Sequence, residues 1–133
     1  MKNPSALSRA VELGRRAARV GFDWTEAREV RKKVLEELAE VDAAIEASAS
    51  RASVAVCAAP EVVEELGDLL FAVANWARHL QVDAEAALAG ANAKFARRFA
   101  WIGARARERG VALEALSAAQ WDALWRDAKA TVG

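Results

Sequence analysis

The stretch "EELGDLLFAVANWARHL", residues 64–80, decides how the rest of the chain is read. Its apolar residues Leu66, Leu69, Val73, Trp76 and Leu80 recur at steps of three and four, and Val62 extends the series backwards. That period predicts an amphipathic helix from about Glu61 to Leu80, not a strand. Three acids, Glu64, Glu65 and Asp68, crowd its first turns. At about 100° per residue, Glu64 points nearly opposite the apolar stripe, whereas Glu65 sits about 75° and Asp68 about 135° from its centre. Glu64 is thus solvated, and Glu65 and Asp68 line one flank of the buried face.

A helix upstream repeats the arrangement. After "FDWTEAREV", in which Thr25 is expected as N-cap and Glu26 falls in the first turn, Val30, Val34, Leu38, Val41 and Ile45 keep the helical spacing. Glu37 lies about 60° from the centre of that stripe, Glu40 about 120° and Glu36 about 160°. Each helix therefore carries an i, i+3 acidic pair displaced in the same rotational sense. If the two helices pack as neighbours, four carboxylates converge at a rim. Four such anions repel unless they are protonated or share a cation, and oxygen-only ligands favour Mg²⁺ or Mn²⁺ over zinc. The competing reading is two ordinary solvated edges, which amphipathic helices commonly carry. A di-iron carboxylate bundle needs Glu-x-x-His on two helices, and the lone His79 has Trp76 at that spacing.

The other segments are helical too. "NPSALSRAVELGRRAARVG" reads as a short helix capped by Ser5 or Ser8 and ended by Gly21. A further long helix starts at the cap Asp83 and stops at Gly110, and a last one starts at the N-cap Ser117. "EASASRASVAVCAAP", residues 46–60, is aperiodic and small-residue-rich, a loop or frayed helix end with Pro60 opening the next helix. No strand pattern survives, so the expectation is a single all-α domain over residues 1–133, a bundle of four or five helices.

Basic and aromatic residues border these faces. Lys94 and Arg98 lie one turn apart along the edge of the stripe formed by Leu88, Ala91, Phe95, Phe99 and Ile102, whereas Arg97 points away. They suit either plain salt bridges to the acids or phosphate oxygens. Asn92 is expected nearer the core than its polarity suits, where it would need a hydrogen-bond partner. Trp125 and Lys129, at i, i+4, can stack on a base and hold a phosphate, or simply pack with the lysine snorkelling.

Composition bounds the rest. Hydrophobic residues make up 54% and charged residues 29% of the 133, which is globular and not disordered. Nineteen basic and nineteen acidic residues cancel, which argues against a general nucleic-acid-binding surface but leaves room for a local anion site. The single cysteine, Cys57, can form neither an internal disulfide nor a cysteine-based zinc site, and is read as a sheltered free thiol. No segment approaches the roughly 20-residue apolar run of a membrane span. The start "MKNPSALSRAVELGRR" lacks an apolar export core, so a cytoplasmic location is expected.

Taken in order, "VGFDWTEAREVRKKVLEELAEVDAAI", "EELGDLLFAVANWARHL" and "ANAKFARRF" resemble the MazG-type nucleoside triphosphate pyrophosphohydrolases, especially the second, catalytically active half of the two-repeat bacterial enzyme. The likeness runs from about Ala6 through "LWRDAK". It implies the fold of the all-alpha NTP pyrophosphatases, forming a homodimer through its long helices, or a tetramer. It implies a hydrolase of acid anhydrides that uses Mg²⁺, with Mn²⁺ as substitute, to convert NTP or dNTP and water into NMP or dNMP and pyrophosphate in nucleotide-pool house-cleaning. By position, the metal and catalytic carboxylates fall on Glu37, Glu40, Glu65 and Asp68, with Glu36 in the motif. Phosphate binding falls on Lys94 and Arg98 and nucleotide contact on Trp125 and Lys129, and Asn92 is grouped with the substrate-binding residues. The rival readings are a narrower relative acting on phosphoribosyl-ATP or on dUTP or dCTP, and a non-catalytic helical dimerisation or nucleotide-binding module. The chain departs from the two-repeat pattern in having one repeat, and its segment Ala47 to Ala59 is less polar than a connector between the acidic pairs should be.

Overall fold

The structure, a computed structural model, describes residues 3–49 and 59–133. Among these it contains five α-helices and no strand: α1 Ala6–Arg19, α2 Ala27–Ala49, α3 Pro60–His79, α4 Ala84–Glu108 and α5 Ala118–Val132, with a 3₁₀ turn at Leu113–Ala115. The all-α expectation is borne out. The chain forms two compact units, one through Glu85 and one from Ala86 to Gly133, so their boundary falls inside the first turn of α4. Cys57 and most of the small-residue stretch lie outside the described residues.

Local chemistry sets the helix ends. Of the two candidate serines, Ser5 caps α1, its Oγ accepting the Ser8 N–H at 3.1 Å. Ser8 Oγ donates instead to Glu85 at 2.8 Å, and Ser5 Oγ reaches the same carboxylate oxygen. After α1 the chain turns through Gly21 at φ +92°, a left-handed conformation that a Cβ would strain. The start of α2 differs from expectation. Its first residue is Ala27, so Glu26 and not Thr25 immediately precedes it, and the loop before it is tied to α3 through Asp23. α2 also continues one turn past Ile45, to Ala49. Pro60 occupies the first turn of α3, Glu61 follows it, and Arg78 and His79 sit in the last turn, as the helix dipole favours.

In the first unit α3 packs against both α2 and α1. The buried residues are Val30, Val41 and Ala44 of α2, Ala72, Ala74 and Asn75 of α3, and Gly14 of α1. This corrects the predicted core of α3. Leu66, Val73 and Leu80 are 45%, 41% and 50% exposed, and on α2 Leu38 and Ile45 are 45% and 48% exposed. Small residues line the close approach, and both helices are apolar over a wider arc than they share, so the larger side chains stay outside it. In the second unit Ile102, Leu124 and Ala128 form the core, with Trp101, Leu113, Leu116, Trp121 and Trp125 packed on it. α5 begins with a full capping box between Ser117 and Gln120. No described helix is long and apolar enough to cross a membrane.

Candidate metal centre

The pairing of α2 with α3 turns two acidic flanks towards each other. Ligand oxygens of Glu37, Glu65 and Asp68 all lie within 4.8 Å of one another. Like charges so close resist ionisation, and the Glu65 carboxyl is pushed above its ordinary value, first by loss of water and then by Asp68, Glu40, Glu64 and Glu37. A polyvalent cation would relieve that repulsion. All three donors are carboxylate oxygens, the set that suits a hard divalent ion, so the cluster can hold a metal.

The four predicted carboxylates are not equivalent. Glu40 does not join the converging three; it stays exposed and adds its charge to the field at Glu65. Glu37 is sheltered, its side chain 12% exposed, while Glu36 is solvated at 66%. The Lys33 Nζ lies 2.8 Å from Glu37 and 3.6 Å from Glu36, and the bond to Glu37 above all raises the Lys33 pKa. Sequence reasoning passed over Lys33, although its i, i+4 spacing to Glu37 was there to be read.

A cavity of about 110 Å³ adjoins the cluster, with Trp24, Lys33, Glu37, Asp68, Phe71 and Asn75 among its walls. Trp24 is held there by its neighbour. The Asp23 carboxylate accepts the Trp24 N–H at 2.9 Å and Arg78 Nη1 and Nη2 at 3.1 and 2.7 Å, and it lies 2.8 Å from His79 Nε2. Arg78 also donates to Asn75 Oδ1, from Nε at 2.9 Å and Nη2 at 2.7 Å.

The remaining predicted residues belong to the second unit. Lys94 and Lys129 are exposed. Arg98 donates from Nε to the Gly133 carbonyl at 2.9 Å, and its guanidinium carbon lies 5.4 Å from the centre of the Trp125 ring. Trp125 is half-buried, tilted against Phe95 with 5.6 Å between ring centres. Asn92 is a correction: it is exposed, because the stripe beside it is itself open, with Leu88 and Phe95 at 50% and 57%.

Residues 26–102 match the family described as the MazG nucleotide pyrophosphohydrolase domain. The chain is 40% identical over 124 residues to the nucleoside triphosphate pyrophosphohydrolase of Escherichia coli K12, covering 93% of this chain and 44% of that protein. To the nucleoside triphosphate pyrophosphohydrolase/pyrophosphatase MazG of Thermotoga maritima it is 39% identical over 124 residues, again 93% of this chain and 44% of the other. An uncharacterised protein of Bacillus subtilis, YabN, is 46% identical over 67 residues, which cover 50% of this chain and 14% of that one. The chain thus spans less than half the length of these relatives. The family match continues through α3 and most of α4, across the boundary between the two compact units. On the extent of that match and the identity to these relatives, the chain belongs to the MazG nucleotide pyrophosphohydrolase domain family.

Proposed function

We propose that the protein is a Mg²⁺-dependent nucleoside triphosphate pyrophosphohydrolase, converting NTP or dNTP and water into NMP or dNMP and pyrophosphate. The observation that carries this reading is the convergence of Glu37, Glu65 and Asp68 within a domain whose relatives bear that activity in their names. Glu37, Glu65 and Asp68 would hold the cation. When bound, it supplies charge screening at the triphosphate and Lewis acidity. Lys33 orients Glu37 through their 2.8 Å pair and offsets part of the cluster's charge. Glu40, outside the converging three, is suited to take the proton of the attacking water. Lys94 and Arg98 are assigned to phosphate oxygens, the guanidinium bidentately and the ammonium as a point charge. Trp125 and Lys129 are assigned to the nucleotide, with exposed Asn92 available for a hydrogen bond to it. The exposed apolar residues Leu38, Ile45, Leu66 and Val73 on the long helices support pairing with a second copy, as a dimer or a tetramer. Both compact units serve as one catalytic domain, acting in the cytoplasm on the nucleotide pool.

Incubating the protein with a panel of NTPs and dNTPs plus Mg²⁺, and separating the products, tests the reaction. NMP and pyrophosphate are expected; orthophosphate and NDP without NMP would overturn it. Calorimetric titration with Mg²⁺ or Mn²⁺ tests the site independently of turnover. Binding that persists unchanged in Glu65→Ala and Asp68→Ala would remove those residues from it.

A further inference from the structure

Of the described residues around the cavity beside the carboxylates, Trp24 alone comes from outside α2 and α3. Glu37 and Asp68 line the same space, so the indole borders two of the three acids that gather there. Trp24 belongs to the loop of residues 20–26, and that loop has little else to hold it. Val20 and Phe22 are 84% and 73% exposed, so apolar packing does not pin it. The Val20, Gly21 and Phe22 N–H groups bond back to Ala17 and Ala18, which shapes the turn out of α1 without reaching α3.

Asp23 supplies the tie. Its carboxylate takes both Nη groups of Arg78, the Trp24 N–H and His79 Nε2. Arg78 also donates from Nε and Nη2 to Asn75 Oδ1, and Asn75, only 4% exposed, is itself part of the cavity wall. The bonds therefore run from one wall residue, Asn75, through Arg78 and Asp23 to the backbone of another, Trp24.

We infer that Asp23 is a positioning residue for the cation site: with Arg78 it holds Trp24 as the wall that limits water at Glu37 and Asp68, and so sets how tightly a divalent cation binds. Apolar surface beside a charged cluster lowers the local dielectric. The carboxylates then repel one another more strongly when bare and attract a cation more strongly when it is bound, and both effects raise affinity. The inference rests on the reading that Glu37, Glu65 and Asp68 hold that cation.

Calorimetric titration with Mg²⁺ and Mn²⁺ tests it on wild type, Asp23→Asn, Trp24→Ala, Trp24→Phe and the double variant Asp23→Asn/Trp24→Ala, with thermal melts to establish folding. An asparagine has one acceptor oxygen and turns an N–H₂ towards donors, so it cannot take all four bonds. Asp23→Asn and Trp24→Ala should each weaken binding about tenfold, and Trp24→Phe, which keeps an aromatic wall, should restore most of it. If Asp23 acts through Trp24, the double variant loses about tenfold and not about a hundredfold. Ser117→Ala, destabilised in the other unit, should bind as wild type does. Tb³⁺ at saturating concentration gives a spectroscopic signature: emission sensitised by tryptophan should fall in Asp23→Asn by the share that it falls in Trp24→Phe. Affinity unchanged in Asp23→Asn, additive losses in the double variant, an equal loss in Ser117→Ala, or full Tb³⁺ emission in Asp23→Asn would each overturn the inference alone. Wild type that binds neither Mg²⁺ nor Mn²⁺ would overturn the metal reading, and this inference with it.

Discussion

Asp23 and Arg78 stand 55 positions apart in the chain and meet at 2.7 Å, the guanidinium donating through both Nη groups to one carboxylate. Their side chains are only 23% and 14% exposed. The Arg78 bonds foremost, helped by His79 and the Trp24 N–H, hold the Asp23 carboxyl down at about 2, against an ordinary 3.8. The folded value lies below the unfolded one, so the stabilisation is complete above about pH 4 and is lost as pH falls through about 2. Asp23→Asn should cost at most about 2 kcal/mol at pH 7, and the gap to wild type should close between about pH 4 and 2. Urea unfolding across that range checks it; a gap that stays constant would refute the pair as its source.

The carboxylate cluster predicts an opposite sign. Glu65 is held above its ordinary pKa by burial and by four neighbouring acids, so its ionised form strains the metal-free fold. Glu65→Gln should raise the melting temperature in EDTA at pH 8. The same variant should lose the further rise that Mg²⁺ gives wild type. Melting both proteins with EDTA and with excess Mg²⁺ separates the two effects.

Gly14 and Gly90 both sit inside helices but should respond oppositely to alanine. A Cβ on Gly14 would meet Asn75 Oδ1 at 2.8 Å and Arg78 Nε at 3.2 Å, whereas one on Gly90 meets nothing within 4 Å. Gly90→Ala should stabilise by about 0.5–1 kcal/mol through helix propensity. Gly14→Ala should destabilise by about 1–2 kcal/mol, because overpacking against a hydrogen-bonded amide outweighs that gain. Denaturant midpoints of the two variants give the comparison.

At the start of α5, Ser117 Oγ accepts the Gln120 N–H at 3.2 Å while Gln120 Oε1 accepts the Ser117 N–H at 2.8 Å. Ser117→Ala should cost about 1 kcal/mol, and Ser117→Asp should restore most of it. Chemical unfolding of both variants measures the difference.

Much of the first unit was legible because helical periodicity is a local property. The stripes of α2 and α3 located both helices, Ser5 or Ser8 marked the start of α1, and the angular offset of Glu37, Glu65 and Asp68 put them on facing flanks. Angle alone cannot rank carboxylates along a helix axis, which is why Glu40 looked equal to the others and stands outside the cluster. Asn92 shows the converse limit. A polar residue beside an apolar stripe is buried only if something covers that stripe, and in this chain Leu88 and Phe95 are open.

By itself the sequence determined the helices, the Ser117 cap of α5 and the two acidic flanks, since each depends on residues within a turn or two of one another. The tertiary structure alone decided that Asp23 would reach Arg78, that Asn75 would be turned by that arginine with Gly14 clearing room for it, and that Trp24 would stand beside the carboxylates. Those relationships join α1, the loop after it and α3 across more than 50 positions of chain, as the 55-residue separation of Asp23 and Arg78 shows. Their partners are chosen by where the helices cross, and no local pattern records that.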